Sequence, residues 1–278
     1  MLYLYERLIK VGWKFWRRNT NDPLAKILFE NYRLNMLTIP REKASVGDLY
    51  MRDGEASQLS TPGSITNFLE PTLELPPTTA DEFMADEVSN VSSHNLSANL
   101  VIDFVEGFLT VLLGRAIAAK IRATFEEKKT QAIQIQFGSL SRDALDVFAL
   151  GNKLKDHKLK KDSALYDSDR RYYVVCGVAR AQSIIIVAQD DKNKEVGLNA
   201  QVINSLNLTG TGSIEQSAAK QITFKGAKKL AFGVELYELR YDTDEQRLKL
   251  DMPTGAFTVR GPPAAYVGKD ESMFFELE

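Results

Sequence analysis

The stretch that decides the fold of this chain is YYVVCGVARAQSIIIVAQDDKNKEVGLNAQVINSLNL, residues 172–208. Two runs with the hydrophobic pattern of β-strands, one from Tyr172 and one from Val196, flank a charged turn at residues 189–195. In the second run apolar residues alternate with polar ones such as Asn199 and Gln201, and only Ile203 and Asn204 break the alternation. We therefore predict two long β-strands, one on each side of this turn.

The second run, residues 196–208, allows two interpretations. A transmembrane β-strand needs about 9–11 residues with one lipid-facing and one water-facing side, and this run is long enough. The alternative is an antiparallel strand that is half-buried in the sheet of a globular protein, where such alternation is common. The pattern alone leaves both interpretations open.

The composition is that of an ordinary globular protein with few reactive groups. The chain has 278 residues, of which 44% are hydrophobic and 26% charged, enough for one large domain or two small ones. Cys176, His94 and His157 are its only cysteine and histidines, which excludes a disulfide framework or a Cys/His zinc site within one chain. Because neither histidine has an obvious triad partner, we expect no enzymatic activity and no cofactor.

Charge is distributed unevenly along the chain. The net charge is −2, but residues 243–278 contain seven acidic and four basic residues, which leaves +1 for residues 1–242. The tail is therefore acidic and the body slightly basic. No uncharged apolar run of 18 residues occurs, which argues against a constitutive helical membrane protein.

Two basic segments are candidates for contact with anionic lipids. Residues 1–18 are predicted to form a helix with an aromatic stripe and a basic stripe, as interfacial helices have; a helix docked on its own domain is the alternative. The candidate lipid-binding residues there are Arg7, Lys10, Trp13, Lys14, Trp16 and Arg17. In the second segment, at the end of a predicted helix over residues 141–159, the candidates are Lys153, Lys155, Lys158, Lys160 and Lys161. These lysines suit lipid headgroups, nucleic-acid phosphates or a solvated helix face.

The remaining pattern contains both helices and strands. The predicted helices cover residues 24–32, 61–69, 96–120 and 141–159, and the predicted strands cover residues 37–40, 46–51, 131–137, 213–224 and 230–239. Gly107 and Gly114 lie inside the helix predicted at 96–120 and weaken it by about 1 kcal/mol each. Turns are predicted at residues 209–212 and 225–228, and a polar, exposed linker is predicted at residues 242–249.

Several weak matches follow one another in a familiar order. They are the segments NYRLNMLTIPR (31–41), the serine-rich patch before LSANLVI (96–102), YYVV (172–175), and FKG (224–226) leading to LAFG (230–233). In this order and spacing, over roughly residues 24–239, the chain resembles the microbial gasdermins. These are the bacterial and fungal relatives of the animal pore-forming cell-death proteins.

The resemblance implies the α+β class, with a twisted antiparallel β-sheet and peripheral helices. It also implies a protein that oligomerises on a membrane and refolds two regions into four amphipathic strands. By position these regions are about residues 83–125 and 172–210. The membrane-inserting residues would be Val196, Leu198, Ala200, Val202, Leu206, Leu208, Val174, Ile184, Ile186, Leu100, Phe104 and Phe108. In a closed ring each inserted strand would find a neighbour for its backbone hydrogen bonds.

The resemblance also implies that a short C-terminal segment inhibits the protein until a protease removes it. The chain then divides into a basic aromatic N-terminal helix (1–22), a pore-forming domain (23–240) and a linker with an inhibitory segment (241–278). Phe257, Tyr266, Phe274 and Phe275 are the residues expected to dock. Asp244 suits a caspase-like protease, Arg247 or Lys249 a trypsin-like or metacaspase-like one, and Leu248 or Leu250 a subtilisin-like one.

The expected partners are anionic lipids, further copies of the chain and an activating protease, with no nucleic acid. The protein is expected in the cytoplasm when inactive and at the plasma or inner membrane when active. An extended N-terminus without the cysteine that bacterial members commonly carry for lipidation, together with the length of the tail, slightly favours a fungal allorecognition protein over a bacterial antiphage one. A β-sheet module that binds lipid or nucleic acid without permeabilising membranes, and a hydrolase whose carboxylates meet only in the fold, remain as alternatives.

Overall fold

The computed structural model describes most of the chain between residues 23 and 276. The described residues are 23–53, 58–81, 98–160, 170–198, 203, 212–217, 220–242, 247–252, 258–259 and 274–276. The helices among them are α1 (Pro23–Tyr32), α2 (Ala98–Leu113), α3 (Arg115–Glu127) and α4 (Val147–Leu154), with a 3₁₀ helix at Ile65–Phe68. The predicted N-terminal helix, residues 1–22, lies outside the described residues.

Antiparallel pairing dominates the β-structure. The strands are β1 (Asn35–Arg41), β2 (Asp48–Asp53), β3 (Gln58–Ser64), β4 (Leu69–Glu70), β5 (Thr78–Asp81), β6 (Ala132–Gly138), β7 (Ser141–Leu145), β8 (Lys158–Leu159), β9 (Arg170–Gln189), β10 (Glu195–Val196), β11 (Gly212–Gln216), β12 (Ile222–Asp242), β13 (Arg247–Asp251), β14 (Thr258–Val259) and β15 (Phe274–Glu276). Among the described residues, thirteen of them form one sheet whose main path runs β14-β1-β12-β9-β2-β3-β15, and β4 pairs with β8 separately. The α+β class with a largely antiparallel sheet is thus confirmed.

The long antiparallel pair β9–β12 forms the centre of this sheet. The two strands have 20 and 21 residues, so at about 3.3 Å per residue each spans roughly 65 Å. On its other edge β9 pairs in turn with β6, β7 and β2. The pair therefore carries two regions with different surroundings, one at each end.

An irregularity in β12 separates these two regions. Ser183 lies opposite Lys225 and Ala181 opposite Leu230, so the single residue Gln182 faces four residues of β12. The Gln182 amide donates to the carbonyl oxygen of Gly226 at 3.1 Å and holds this wide bulge closed. Bulges bend a strand and increase its twist. We call residues 183–189 of β9 with residues 222–225 of β12 the far half of the pair, and residues 170–181 of β9 with residues 230–242 of β12 the near half. The bulge changes the direction of the far half relative to the near half.

The apolar core follows the same division. One cluster joins α1, α2 and α3 to the far half of β9–β12. Two smaller clusters lie on opposite faces of the near half, because Tyr172 and Val174 belong to one of them and Tyr173 and Val175 to the other. Helix α4 buries Leu150 and Leu154 in the cluster that contains Tyr172.

The structure differs from the predicted pattern at both long helices. The helix predicted at residues 96–120 is two helices, because Gly114 adopts a φ of +91°, a conformation that favours glycine and ends α2. Of the helix predicted at residues 141–159, only Val147–Leu154 is helical; Ser141–Leu145 forms β7, which pairs with β5 and β9. Pairing across the sheet outweighs local helix propensity there.

Three other predictions are also wrong. The helix predicted at residues 61–69 begins at Ile65, because residues 58–64 form β3. The turn predicted at residues 225–228 is the bulge of one continuous strand. The predicted exposed linker is paired from Arg247 onward, because β13 lies against β12 and buries Leu248.

The thirteen-residue strand predicted from Val196 is not formed in its described part. Only Glu195 and Val196 pair, with Gln189 and Ala188 of β9. The Leu198 N–H then donates to Gln216 Oε1 at 2.7 Å, and Ile203 is helical. Because a side chain takes the hydrogen bond that a neighbouring strand would need, the strand ends here.

Candidate functional site

Four strands form an amphipathic sheet at the far end of the β9–β12 pair. Their order is β6, the far half of β9, the far half of β12, and β11. One row across these strands joins Phe137, Ile184, Phe224 and Ile214, and the neighbouring row joins Gln136, Ile185, Thr223 and Glu215. Successive residues in a strand point to opposite faces, so the two rows line different faces of the sheet.

The two faces differ in polarity and in burial. Apolar side chains occupy the buried face: Ile133, Ile135, Phe137, Ile184, Ile186, Ala188, Ile214, Ile222 and Phe224. The opposite face is mixed and lies at half-buried or exposed positions; it carries the polar residues Gln134, Gln136, Thr223, Lys225 and Glu215 together with Ile185 and Val187. A sheet with one wholly apolar face is stable in water only when another element covers that face.

Helices α2 and α3 provide this cover. Helix α2 is apolar on nearly all sides, as expected for a helix packed between a sheet and another helix. Its Phe104 ring meets the Phe137 ring edge-on at 6.0 Å between centroids, and Phe137 stacks on Phe232 at 4.1 Å. These three rings anchor α2 where the amphipathic sheet joins the rest of the molecule.

Two leucines at the end of α2 lie directly over glycines of the sheet. A Cβ atom at Gly226 would collide with Leu112 Cδ2, and one at Gly212 would lie 2.8 Å from Leu113 Cδ2. The helix approaches β11 and β12 this closely because both positions lack side chains. The fit of the cover therefore depends on these glycines.

Polar contacts fasten the outer side of the cover. Arg122 of α3 pairs with Glu106 of α2 at 2.6 Å and with Glu126 at 2.7 Å. Lys128 donates to the carbonyl oxygen of Gly197 at 2.6 Å and so ties the end of α3 to the segment after β10. Partly exposed ion pairs contribute about 0–1 kcal/mol each, so the apolar contacts dominate.

The tip of the sheet is the turn between β9 and β10. Asp190 Oδ1 accepts the N–H groups of Lys192 at 2.9 Å and Lys194 at 2.8 Å. The hydrogen bond from the Lys194 amide is the main cause that lowers the pKa of the exposed Asp190 carboxyl, so the turn is held by an ionised side chain. The predicted charged turn is thus confirmed as the link between β9 and β10.

The near half of the β9–β12 pair carries ion pairs and a buried thiol. Arg142 pairs with Glu235, and Arg180 with Asp143 at 3.1 Å, which fastens β7 to β12 and β9. Burial, with a smaller effect of Glu235, raises the pKa of the Cys176 thiol to about 12. The thiol is therefore protonated near neutral pH and lies in an apolar core, as the sequence predicted.

Among the described residues, no group of three or more His, Cys, Asp or Glu side chains could hold a metal ion.

The C-terminal residues that the structure describes pair with three strands of the sheet. Strand β13 extends the sheet beside β12, β14 pairs in parallel with β1, and β15 pairs antiparallel with β3. Strands β1 and β3 each lie at one end of the path β1-β12-β9-β2-β3. The tail therefore pairs with the edges of β1 and β3 that would otherwise be open.

The predicted membrane-inserting residues fall into three groups. Phe104, Phe108, Ile184, Ile186, Val196 and Leu198 are buried together in the core beneath or within the helical cover. Val174 is buried in a different cluster, in the near half of β9. Ala200, Val202, Leu206 and Leu208 lie outside the described residues, and Leu100 lies in α2 without a described side chain.

The predicted lipid-binding, cleavage and inhibitory residues are more scattered. Lys153 is in the last turn of α4, Lys155 in the turn after it, Lys158 in β8 and Lys160 just beyond, so they do not share one helix face. Arg247, Leu248, Lys249 and Leu250 are in β13, and Phe274 and Phe275 are in β15. Outside the described residues lie Arg7, Lys10, Trp13, Lys14, Trp16, Arg17, Lys161, Asp244, Phe257 and Tyr266.

The amphipathic sheet overlaps the two regions predicted to insert only in part, and the insertion of these regions stays a prediction. Residues 83–125 and 172–210 include β9 but not β6, β11 or β12. These three elements were predicted as strands, at residues 131–137, 213–224 and 230–239, but not as parts of one amphipathic sheet. The signal was present in β6, where residues 131–137 alternate strictly. In β12 the glycine and lysines of the bulge interrupted the pattern and suggested a turn.

The site is thus an amphipathic sheet whose apolar face is covered by helices α2 and α3. Comparison with known families shows which class of protein has this fold. The model of the Bacterial Gasdermin Family matches residues 37–249, about three quarters of the chain, and the chain belongs to this family. Gasdermins are pore-forming proteins rather than enzymes, so membership supports pore formation as the class of activity.

Individual relatives are similar along nearly their whole length. The protein named gasdermin bGSDM from Bradyrhizobium tropiciagri is 25% identical over 266 residues, 91% of this chain and 95% of the relative. Its namesake from Vitiosangium sp. is 23% identical over 263 residues, 92% of this chain and 95% of the relative. The solved structure of the Bradyrhizobium tropiciagri gasdermin matches with a TM-score of 0.61 at 20% identity, covering 84% of this chain and 92% of that one, and establishes the shared fold.

The matched family and both named relatives are bacterial, so the comparisons do not support the slight preference for a fungal type. Within the described part of the chain, no helix is both long enough and apolar enough to cross a membrane.

Proposed function

We propose that this protein is an autoinhibited pore former. On release of its C-terminal segment, several copies assemble on a membrane, insert the amphipathic sheet and permeabilise the bilayer. The observation that carries this proposal is the four-stranded sheet β6-β9-β12-β11, whose apolar face is buried under α2 and α3.

The first step concerns the length of the strands. Strand β6 has seven residues and β11 has five, whereas a membrane-crossing strand needs about 9–11. Helices α2 and α3 precede β6 directly, and the segment from Gly197 precedes β11. Conversion of these neighbouring segments to strand would lengthen both β6 and β11 and remove the cover in the same event.

The second step concerns the apolar face. An uncovered face of this size would not persist in water, because monomeric proteins rarely expose large contiguous apolar patches. In lipid the same face is favourable, and the strands of neighbouring copies satisfy each other's backbone groups in a closed ring. Opening of the cover is therefore expected to be coupled to membrane contact and assembly.

The third step concerns the tail. Strands β14 and β15 occupy the outer edges of β1 and β3, the positions through which another copy could pair. Both edge strands contain a proline, Pro40 and Pro62, as edge strands tolerate. Release of the tail would free both edges and remove acidic residues from a slightly basic body.

A protease is the expected trigger, and anionic lipids are the expected target. Residues of β13 are poor candidates for cleavage in the inactive form, because a protease must bind its substrate as an unpaired extended segment. Cleavage after Met252 would leave β13 in place, whereas truncation after Arg240 would remove it from the core. Permeabilisation of the host membrane would serve regulated cell death in antiphage defence or allorecognition.

The proposal is tested with a chain that carries a site-specific protease sequence inserted after Met252. Dye release from anionic liposomes is measured for the intact and the cleaved chain. We expect release only after cleavage. Release by both forms would contradict inhibition by the tail, and binding without release by either form would favour the non-permeabilising lipid-binding module.

A further inference from the structure

The chain leaves the sheet directly after β10. Strand β10 pairs with Gln189 and Ala188 of β9, and β6 pairs with the same two residues, so β10 and β6 lie on opposite edges of β9. Strand β12 occupies the β10 edge from Ile186 onward, where Ile222 lies opposite. Because this edge is already paired, β10 cannot continue along β9, and the backbone turns away at Gly197.

One peptide group at this point is held by side chains from two other elements. Lys128 Nζ, at the end of α3, donates to the carbonyl oxygen of Gly197 at 2.6 Å. Gln216 Oε1, at the end of β11, accepts the N–H of Leu198 at 2.7 Å. Both backbone groups belong to the Gly197–Leu198 peptide, and Leu198 is buried in the same cluster as α2 and α3. The two side chains thus supply the partners that a buried backbone would otherwise obtain from a neighbouring strand.

The backbone of Gly197 lies close against the Gln216 amide. A Cβ atom at Gly197 would lie 3.0 Å from both Nε2 and Oε1 of Gln216. Gln216 follows the buried Ile214 by two residues in β11, so its side chain points to the covered face of the amphipathic sheet. The peptide therefore connects the end of α3 to the covered face of β11. We call the two hydrogen bonds, Lys128–Gly197 and Gln216–Leu198, the bridging contacts.

We infer that the bridging contacts couple the helical cover to the segment that precedes β11, so that the two are released together. Lys128 ends the helix that precedes β6, and Leu198 begins the segment that leads to β11. Unwinding of α3 withdraws the Lys128 donor from the peptide, and departure of the segment withdraws the peptide from both side chains. The inference rests on the proposed function and adds how its two refolding segments are held in the inactive form.

A single peptide group makes the two contacts interdependent. The Gly197–Leu198 peptide is trans and planar, so its C=O and N–H point to opposite sides and turn as one unit. A rotation that breaks the hydrogen bond to Lys128 therefore also breaks the one to Gln216. Loss of either side chain is expected to free the peptide and to loosen the element on the other side.

The test is hydrogen–deuterium exchange of the intact chain in water, followed at the Leu198 amide and at the amides of residues 124–128. Gln216→Met keeps the side-chain length but removes the acceptor, and it is expected to accelerate exchange about five-fold at both places. Faster exchange in α3 is the informative result, because Gln216 belongs to β11 and is connected to α3 through this peptide. Gln216→Glu keeps an acceptor oxygen and is expected to exchange like the parent.

The reciprocal variant is Lys128→Met, which removes the donor and keeps the apolar stem. It is expected to accelerate exchange at Leu198 by a similar factor. The double variant Lys128→Met/Gln216→Met is expected to exchange about as fast as the faster single variant, because the second contact is already lost in each of them.

Two matched controls are expected to exchange like the parent. Lys129→Met removes an exposed lysine from the same helix end and controls for the loss of positive charge there. Glu215→Met changes an exposed residue of β11 whose side chain points to the opposite face. Unchanged exchange in α3 of Gln216→Met would overturn the inference, and so would single effects that multiply in the double variant. Exchange is measured without membranes, so its outcome is independent of whether the cleaved chain releases dye.

Discussion

At the scale of single residues, the reactivity of the Cys176 thiol indicates whether the near half of the β9–β12 pair opens. It is the chain's only cysteine, is 1% exposed, and lies in the near half of β9, away from the amphipathic sheet. Burial raises the pKa of its thiol to about 12, so much less of the reactive thiolate is present at pH 8 in the folded chain than in the unfolded chain.

We predict that Cys176 reacts with Ellman's reagent at least about 100-fold more slowly in the intact chain than in guanidinium chloride. Because only the thiolate reacts, the folded rate should keep rising with pH well above 9. After cleavage on vesicles the thiol should stay protected, since the near half of the sheet keeps its fold. Rapid labelling of the membrane-bound form would show that refolding extends beyond the amphipathic sheet.

At the scale of elements, the close contact between Leu112 of α2 and Gly226 of β12 is expected to determine how tightly α2 packs on the sheet. We predict that Gly226→Ala loosens the cover, because the added Cβ would meet Leu112 Cδ2, and overpacking of this kind costs about 1–3 kcal/mol. Limited proteolysis within α2–α3 should become faster, and dye release should need a shorter exposure to the activating protease.

Gly151→Ala in α4 is the matched control for this substitution. A Cβ at Gly151 meets nothing within 4 Å, so alanine is expected to stabilise the helix by about 0.5–1 kcal/mol without affecting the cover. If Gly226→Ala behaved like Gly151→Ala in both assays, the contact between Leu112 and Gly226 would not control the opening of the helical cover.

The elements also show what the sequence could and could not predict. Strand β6 was predictable because strict alternation over residues 131–137 has no helical equivalent. Strand β9 and the charged turn after it were predictable because a β-patterned apolar run ends at a cluster of charged residues. Strand β7 was not predictable, because the short segment 141–145 has no strand-like pattern and is held by pairing with β5 and β9. The burial of Leu198 in a non-strand segment depends on Gln216, a residue 18 positions away.

At the scale of the whole molecule, the sequence predicted the family but not how the strands of the amphipathic sheet pair with one another. The order of weak matches over residues 24–239 was sufficient for the family, and the family model matches residues 37–249. The pairing of β6 and β11 with the far halves of β9 and β12 involves contacts far apart in the chain. No local pattern encodes which strands share the apolar face, so only the structure brings them together.

The central claim is that the sheet under α2 and α3 must be uncovered before the membrane is permeabilised. A disulfide between Leu112→Cys and Gly226→Cys would lock the cover, because Leu112 Cγ, which a sulfur would replace, lies 3.5 Å from the Cβ position of residue 226. Cys176→Ala removes the only competing thiol, and the protease sequence after Met252 allows activation.

The decisive measurement is dye release from anionic liposomes by this cleaved chain before and after addition of dithiothreitol. We predict no release while the disulfide is intact and, once it is reduced, release at least as fast as that of the cleaved, cysteine-free parent, because the side chain added at residue 226 loosens the cover. Equal release by the oxidised and reduced forms would contradict the claim, because the bilayer would then be permeabilised with the cover still in place.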